Sequence, residues 1–236
     1  MTTVLITGAN RGVGLALARE YTSSGADVIA CCRDPAKADA LKELERASGG
    51  RVRILPLDVT DETSIASLKT TLGDQAIDIL INNAGVLGPK NQSPDGIDAE
   101  GWMSALRVNA LAPVLLSLAL ADNLKRSREK KLVAISSDYG SVSIVWPPTT
   151  SARNRYAYRA SKAALNSGMR ALSSDWAADG VIVGLFNPGW VQTDMGGPTA
   201  RITAEQSASG LVRRIAELTA ETSGCFNDYD GKPIAW

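Results

Sequence analysis

The stretch VLITGANRGVG, Val4 to Gly14, decides how this chain folds. Val4, Leu5 and Ile6 form a continuous apolar run, as expected of a strand buried on both faces of a parallel sheet. Gly8, Gly12 and Gly14 follow before a helical pattern begins. The reading is strand, glycine turn, helix. Glycine suits such a turn because a side chain would hold the backbone away from a pyrophosphate, while the helix N-terminus offers unpaired N–H groups and a positive dipole end. The spacing Gly-x3-Gly-x-Gly differs from the general G-x-G-x-x-G fingerprint, so an ordinary strand-to-helix turn stands beside the dinucleotide reading at this point.

Outward from that turn the chain alternates. A helix over Val13 to Ser24 is closed by Gly25, and Ala26 to Cys32 reads as a second strand with Arg33 at its carboxyl end. Then come an amphipathic helix over Ala36 to Arg46, a strand over Val52 to Pro56, a helix over Thr63 to Leu72, and a fourth strand over Ile77 to Ile81 that runs into Asn82 to Gly85. The second half continues with a helical region over Ala99 to Arg126 and a fifth strand over Lys131 to Ser136. A long loop follows, Tyr139 to Arg155, with Pro147, Pro148 and the Thr149, Thr150, Ser151 cluster; it reads as a lid or substrate loop. A helix over Ala157 to Ser174, a strand over Val181 to Phe186, a helix over Thr203 to Leu218 and a short strand over Gly224 to Asp228 complete the chain. Such alternation predicts an α/β fold: a doubly wound parallel sheet of the Rossmann type, about seven strands with helices on both faces, and ligands beyond the carboxyl ends of the strands. At 236 residues and 44% hydrophobic content, one domain covering residues 1–236 is expected.

Composition narrows the function classes. Lys plus Arg and Asp plus Glu balance at 25 each, so no global field favours nucleic acid or an acidic membrane. The apolar segment Ala110 to Ala121 falls short of the ~20 residues of a spanning helix, and a buried or interface helix is expected. Three cysteines, two of them adjacent at Cys31 and Cys32, make a poor disulfide framework, and no leader pattern precedes the first strand; the expectation is a cytoplasmic protein. Histidine is absent, which excludes Ser-His-Asp and Cys-His nucleophile systems and histidine-ligated metals. Acid–base chemistry then falls to Tyr, Lys, Cys or a carboxylate, and no metal site is expected.

Tyr158 and Lys162 lie four apart on a predicted helix, which puts phenol and ammonium on one face. A nearby cation stabilises a phenolate and brings its pKa toward the working range. A plain surface pair is the alternative. Ser136 and Ser137 end the fifth strand, Asn82 to Gly85 the fourth, and Asp58 the third, so all belong on one rim of the sheet.

Through TGANRGVG at Thr7 to Gly14, NNAG at Asn82 to Gly85, Asn109, Ser137, YRASK at Tyr158 to Lys162, and NPGWVQT at Asn187 to Thr193, the chain resembles the short-chain dehydrogenase/reductase superfamily. The runs YRASKAALN, NPGWVQTDMGG and the terminal FNDYDGKPIAW are similar to the C-factor and sniffer-like carbonyl reductases. The resemblance implies that Tyr158 protonates the carbonyl oxygen, Ser137 polarises it, Lys162 holds the nicotinamide ribose and lowers the tyrosine pKa, and Asn109 anchors a water in the proton relay. It implies a dinucleotide site at Gly8, Asn10, Arg11, Gly12, Val13 and Gly14. Asp58 and Val59 would meet the adenine, Asn83, Ala84 and Gly85 the adjoining ribose, and Pro188, Gly189, Val191 and Thr193 the nicotinamide amide. The longer gap between Ser137 and Tyr158 matches the extended loop of the sniffer-like group. Ser136 points the other way along its strand and is the weaker candidate.

Charge argues for the coenzyme. The acidic residue that usually holds the ribose of NAD is replaced by Cys32, followed by Arg33, and Arg11 sits in the glycine turn; two guanidiniums suit the 2′-phosphate of NADP(H). Ile144, Val145, Trp146, Trp190 and Met195 suggest an apolar or aromatic carbonyl substrate, with Arg153, Arg155 and Arg159 nearby. The expectation is hydride transfer from NADPH to a ketone, aldehyde or quinone, in a homodimer or tetramer built on the helices around Ala99 to Arg126 and Ala157 to Ser174. A 3-oxoacyl thioester reductase and an NADP(H)-binding redox-sensing or signalling protein are the alternatives.

Overall fold

Val4, Leu5 and Ile6 are fully buried in the computed structural model, which describes residues 1–90, 92–93, 96–144 and 155–236. They form the middle of β1 (Thr3–Thr7), which leads through the glycine turn into α1 (Gly12–Ser23). The chain continues as β2 (Asp27–Cys32), α2 (Asp39–Ala47), β3 (Val52–Pro56), α3 (Glu62–Leu72) and β4 (Ile79–Asn82). A small antiparallel pair, β5 (Gln92–Ser93) and β6 (Gly96–Ile97), precedes α4 (Ala99–Leu106). Then come α5 (Ala112–Ala119), α6 (Ala121–Lys125), β7 (Lys131–Ile135), α7 (Tyr156–Asp175), β8 (Ile182–Asn187), α8 (Ala204–Ala216) and β9 (Cys225–Asp228).

Seven strands form one parallel sheet in the order β3-β2-β1-β4-β7-β8-β9. The order reverses between β1 and β4, and a crevice opens at such a switch point beyond the carboxyl ends of the strands. Alternation along β1 divides the core: Val4 and Ile6 join α1, Leu41 of α2 and α8 on one face, while Leu5 joins α3, α5, α6 and α7 on the other. The expected doubly wound architecture is what the chain adopts.

Departures from the expected elements have local causes. The helix expected over Ala36 to Arg46 begins instead as a single tight turn, Pro35–Lys37, capped by the Asp34 carboxylate on the Ala36 amide; α2 starts after it. The helical region Ala99 to Arg126 is interrupted by a π turn over Arg107–Leu111 and again at Leu120. Pro113 has no N–H to return to the carbonyl of Asn109, and the Ala112 amide bonds to Arg107 instead, which widens the turn. Ala99–Ala119 is a continuous apolar helical run of 21 residues, long enough to cross a membrane by length and composition, whereas the sequence reading placed its apolar core below that length. Here it packs on α3 and α7 through Leu116 and its neighbours, and its outward face stays open.

The predicted lid of Tyr139 to Arg155 falls largely on residues 145–154, which lie outside the described residues, as do Val145, Trp146 and Arg153.

Candidate active site

Thr7 fastens the glycine turn to the end of β4. Its hydroxyl accepts the amides of Asn83 and Ala84, both at 3.0 Å, while the Asn83 side chain donates to the carbonyls of Thr7 at 2.8 Å and Gly8 at 3.2 Å. Gly8 and Gly12 have φ of +63° and +53°, the left-handed region that favours glycine. Gly14 is needed for space: a Cβ there would lie 2.3 Å from the Gly8 carbonyl oxygen and 2.5 Å from Asn83 Nδ2. Arg11, the residue before α1, makes no side-chain cap, so the first-turn amides, Val13 among them, keep their capacity for an anion.

Around this turn the charges suit a phosphorylated nucleotide. Cys32 occupies the position where an acid would meet a free ribose, and burial pushes its thiol up. Arg33 is exposed and makes no ion pair among the described residues; Asp34 pairs with Lys37 at 3.0 Å. Arg11 reaches across the cleft to Asp194 at 2.6 Å, an exposed pair weak enough to exchange for a phosphate. Asp58 is held below the usual carboxylate range first by the Thr60 hydroxyl and amide, then by the charges of Arg33 and Arg107, and Val59 follows it on the same rim. Pro188, Gly189, Val191 and Thr193 follow β8. The Pro188 carbonyl accepts the Ser207 hydroxyl at 2.6 Å, Gly189 has φ of +80°, and Thr193 sits over Gly12.

The reactive side chains gather where β4, β7 and α7 meet. Tyr158, Lys162, Ser137 and Asn109 are all buried. The Tyr158 ring stands edge-on to Tyr139, with centroids 6.1 Å apart. Lys162 Nζ lies 5.8 Å from the centre of the Tyr158 ring and donates to the Ile135 carbonyl at 2.8 Å. Asn109 clamps Val86 by both its amide and its carbonyl, at 2.8 Å each, and donates to Ser161 at 2.9 Å. Gly85 lies between Asn109 and Lys162, where a Cβ would meet Asn109 Oδ1 at 3.2 Å and Lys162 Nζ at 3.8 Å. Ser136 turns away and donates to Asn166 at 2.5 Å.

Burial pushes Tyr158 up to about 12 and brings Lys162 down to about 8. Desolvation disfavours the charged form of each. The structure gives partners to Thr7 and Ser161, which lie inside quoted motifs, and adds two residues that no motif announced: Arg107, which donates to the Thr60 carbonyl, and Asp138, whose carboxylate accepts the Ser137 hydroxyl at 3.1 Å. An acid directly after a predicted catalytic serine was the available signal for the last.

The family model for short chain dehydrogenases matches residues 2–203. A protein named C-signal from Myxococcus xanthus is 38% identical over 160 residues, covering 68% of this chain and 93% of that protein. Among solved structures, the carbonyl reductase Sniffer of D. melanogaster superposes with a TM-score of 0.87 at 29% identity, over 100% of both chains. The NADPH-bound carbonyl reductase from chicken fatty liver does so with a TM-score of 0.90 at 32% identity, over 100% of this chain and 99% of that one.

Proposed function

The chain belongs to the short-chain dehydrogenase family, and from that premise we propose that it is an NADPH-dependent carbonyl reductase acting on ketones, aldehydes or quinones. One observation carries the reading: a buried, neutral phenol, Tyr158, stands beside Ser137 and Lys162 at the same rim as an uncapped glycine turn. NADPH bound there supplies the hydride. The glycine turn and the first-turn amides of α1 hold its pyrophosphate, Arg33 and Arg11 its 2′-phosphate, Asp58 and Val59 its adenine, and Lys162 its nicotinamide ribose. The NADPH named in the chicken enzyme's structure accords with this donor set.

Tyr158 delivers the proton to the carbonyl oxygen. A phenol raised to about 12 is protonated at neutral pH, which is the form a reductase requires. Asn109 holds the backbone at Val86 through both groups of its side-chain amide. Exposed Val86, Val142, Trp190 and Met195 on this rim favour an apolar or aromatic substrate. Free Cys31, Cys32 and Cys225 accord with a reducing compartment and a cytoplasmic location. The outward face of α4 and α5, with exposed Met103, Leu111 and Leu118, is where a second copy would pack.

The test is NADPH consumption, with NADH in parallel, against a panel of ketones, aldehydes, quinones and 3-oxoacyl thioesters. Tyr158→Phe is expected to lose about 10²- to 10⁴-fold in turnover while still binding coenzyme. Binding without turnover on every member would favour a second reading, a nucleotide-dependent signalling protein, to which the name of the Myxococcus relative lends support.

A further inference from the structure

Tyr158, Lys162 and Asn166 follow one another at four-residue spacing along one face of α7, and all are buried. Contacts from successive parts of the β7 end meet that face. Lys162 Nζ donates to the Ile135 carbonyl at 2.8 Å, and Ser136 Oγ donates to Asn166 Oδ1 at 2.5 Å. Beyond them Gly140 lies so close to the helix that a Cβ there would stand 2.9 Å from both the Lys162 carbonyl carbon and Asn166 Nδ2. Ser137 sits between the Ser136 bond and the Gly140 contact. We propose that Asn166 is a positioning residue: by gripping Ser136 from α7 it fixes where Ser137 stands relative to Tyr158 and Lys162, which the same helix carries. The proposal rests on the carbonyl-reductase reading and deepens it, because it gives a task to the serine that faces away from the carbonyl.

The backbone carries the effect from one serine to the next. Ser137 is extended, with φ of −161° and ψ of 148°, so the two serine side chains leave the chain on opposite sides and a bond made by the first sets the aim of the second. The Ser136 amide donates to the Phe186 carbonyl of β8 at 2.7 Å, which holds the strand end within the sheet; the Asn166 bond holds it to the helix layer. Packing alone does not call for an asparagine here. Asn166 is 3% exposed, and among the described residues the Ser136 hydroxyl is the partner its amide has, Nδ2 having none. A leucine of similar size would fill the space without taking an amide out of water. Turning the amide over would exchange acceptor for donor and leave the contact in place, because a hydroxyl serves as either. Neither Ser136 nor Asn166 belongs to the coenzyme's donor set, so losing their bond acts on the chemical step and not on coenzyme affinity.

Ser136→Ala removes the hydroxyl and Ser136→Thr keeps it. Ser136→Ala is expected to lower kcat about tenfold with NADPH affinity unchanged, and Ser136→Thr to restore it. Asn166→Leu should show the same loss, and Ser136→Ala combined with Asn166→Leu no further loss, since both act through one bond. A folded Ser136→Ala with the wild-type kcat overturns the proposal, as does a double variant whose losses multiply. Amide hydrogen exchange reads the same clamp without coenzyme or carbonyl. The Gly140 and Ser141 amides, bonded to the Ser137 and Asp138 carbonyls at 2.8 and 3.0 Å, should lose protection in Ser136→Ala and regain it in Ser136→Thr; unchanged protection also overturns the proposal. Should Ser136→Ala not fold, Asn166→Leu is measured in its place with the same outcomes. Absence of carbonyl turnover in the wild type would defeat the reductase reading, yet the exchange would still decide whether Asn166 holds the turn.

Discussion

Lys162 and Tyr158 are displaced from their ordinary pKa values in opposite senses by one cause, removal from water. For Lys162 the consequence is a stability term with a definite sign. Its pKa falls from 10.5 in the unfolded chain to about 8 in the fold, so the unfolded chain binds the proton more tightly. The fold therefore carries the full cost below about pH 8 and recovers it as pH rises toward 10.5, a gain of about 3 kcal/mol. Denaturant unfolding of wild type and Lys162→Met across this window should show the wild type gaining on the variant as pH rises; parallel curves would refute a desolvated ammonium. The tyrosine–lysine pair was legible in the sequence because four-residue spacing on a helix needs no tertiary knowledge. The depth of its burial was not, since it depends on how α7 lies against β7, and burial is what raises Tyr158.

At the scale of elements, the turn between β1 and α1 sets a local preference against a close contact. Alanine is favoured over glycine by about 1 kcal/mol inside a helix, and Gly14 lies within α1. A Cβ there would stand 2.3 Å from a backbone carbonyl oxygen that cannot swing aside, so Gly14→Ala should destabilise by more than about 2 kcal/mol. A thermal or denaturant midpoint equal to wild type would show that the turn has slack. Arg33, free of ion pairs among the described residues, is the better anchor for a 2′-phosphate than Arg11, which must first leave Asp194. Arg33→Ala is expected to weaken NADPH binding about tenfold and NADH binding little, measured by fluorescence titration. Equal losses for both coenzymes would mean that Arg33 does not meet the phosphate. Strands and helices were readable to within a few residues because glycines, caps and apolar runs mark them locally. The π turn was not readable: Pro113 permits it, but Asn109 gripping Val86 from 23 residues away fixes it.

Across the whole molecule, strict strand–helix alternation left few topologies open, because parallel crossovers are right-handed and the order then follows. What alternation does not specify is which helix faces remain uncovered. The run Ala99–Ala119 is apolar enough for a membrane, yet only 33% of its most apolar window is buried within this chain. Met103, Leu111 and Leu118 are exposed along it, and a groove of about 660 Å³ opens beside Met103, Leu111 and Ala164 of α7. Large apolar side chains exposed along one helical run, on a chain with no net charge, favour association over solvation. A self-complementary contact between two copies would cover it with matching surface and close the assembly, whereas a contact between different faces would continue into a chain of copies. Sedimentation equilibrium should then give twice the 24.8 kDa of the protomer. Leu111→Glu combined with Leu118→Glu places four carboxylates in that contact, and should yield a monomer with the coenzyme site intact and a lower unfolding temperature. A wild-type monomer, or a double variant that stays dimeric, would place the association surface elsewhere.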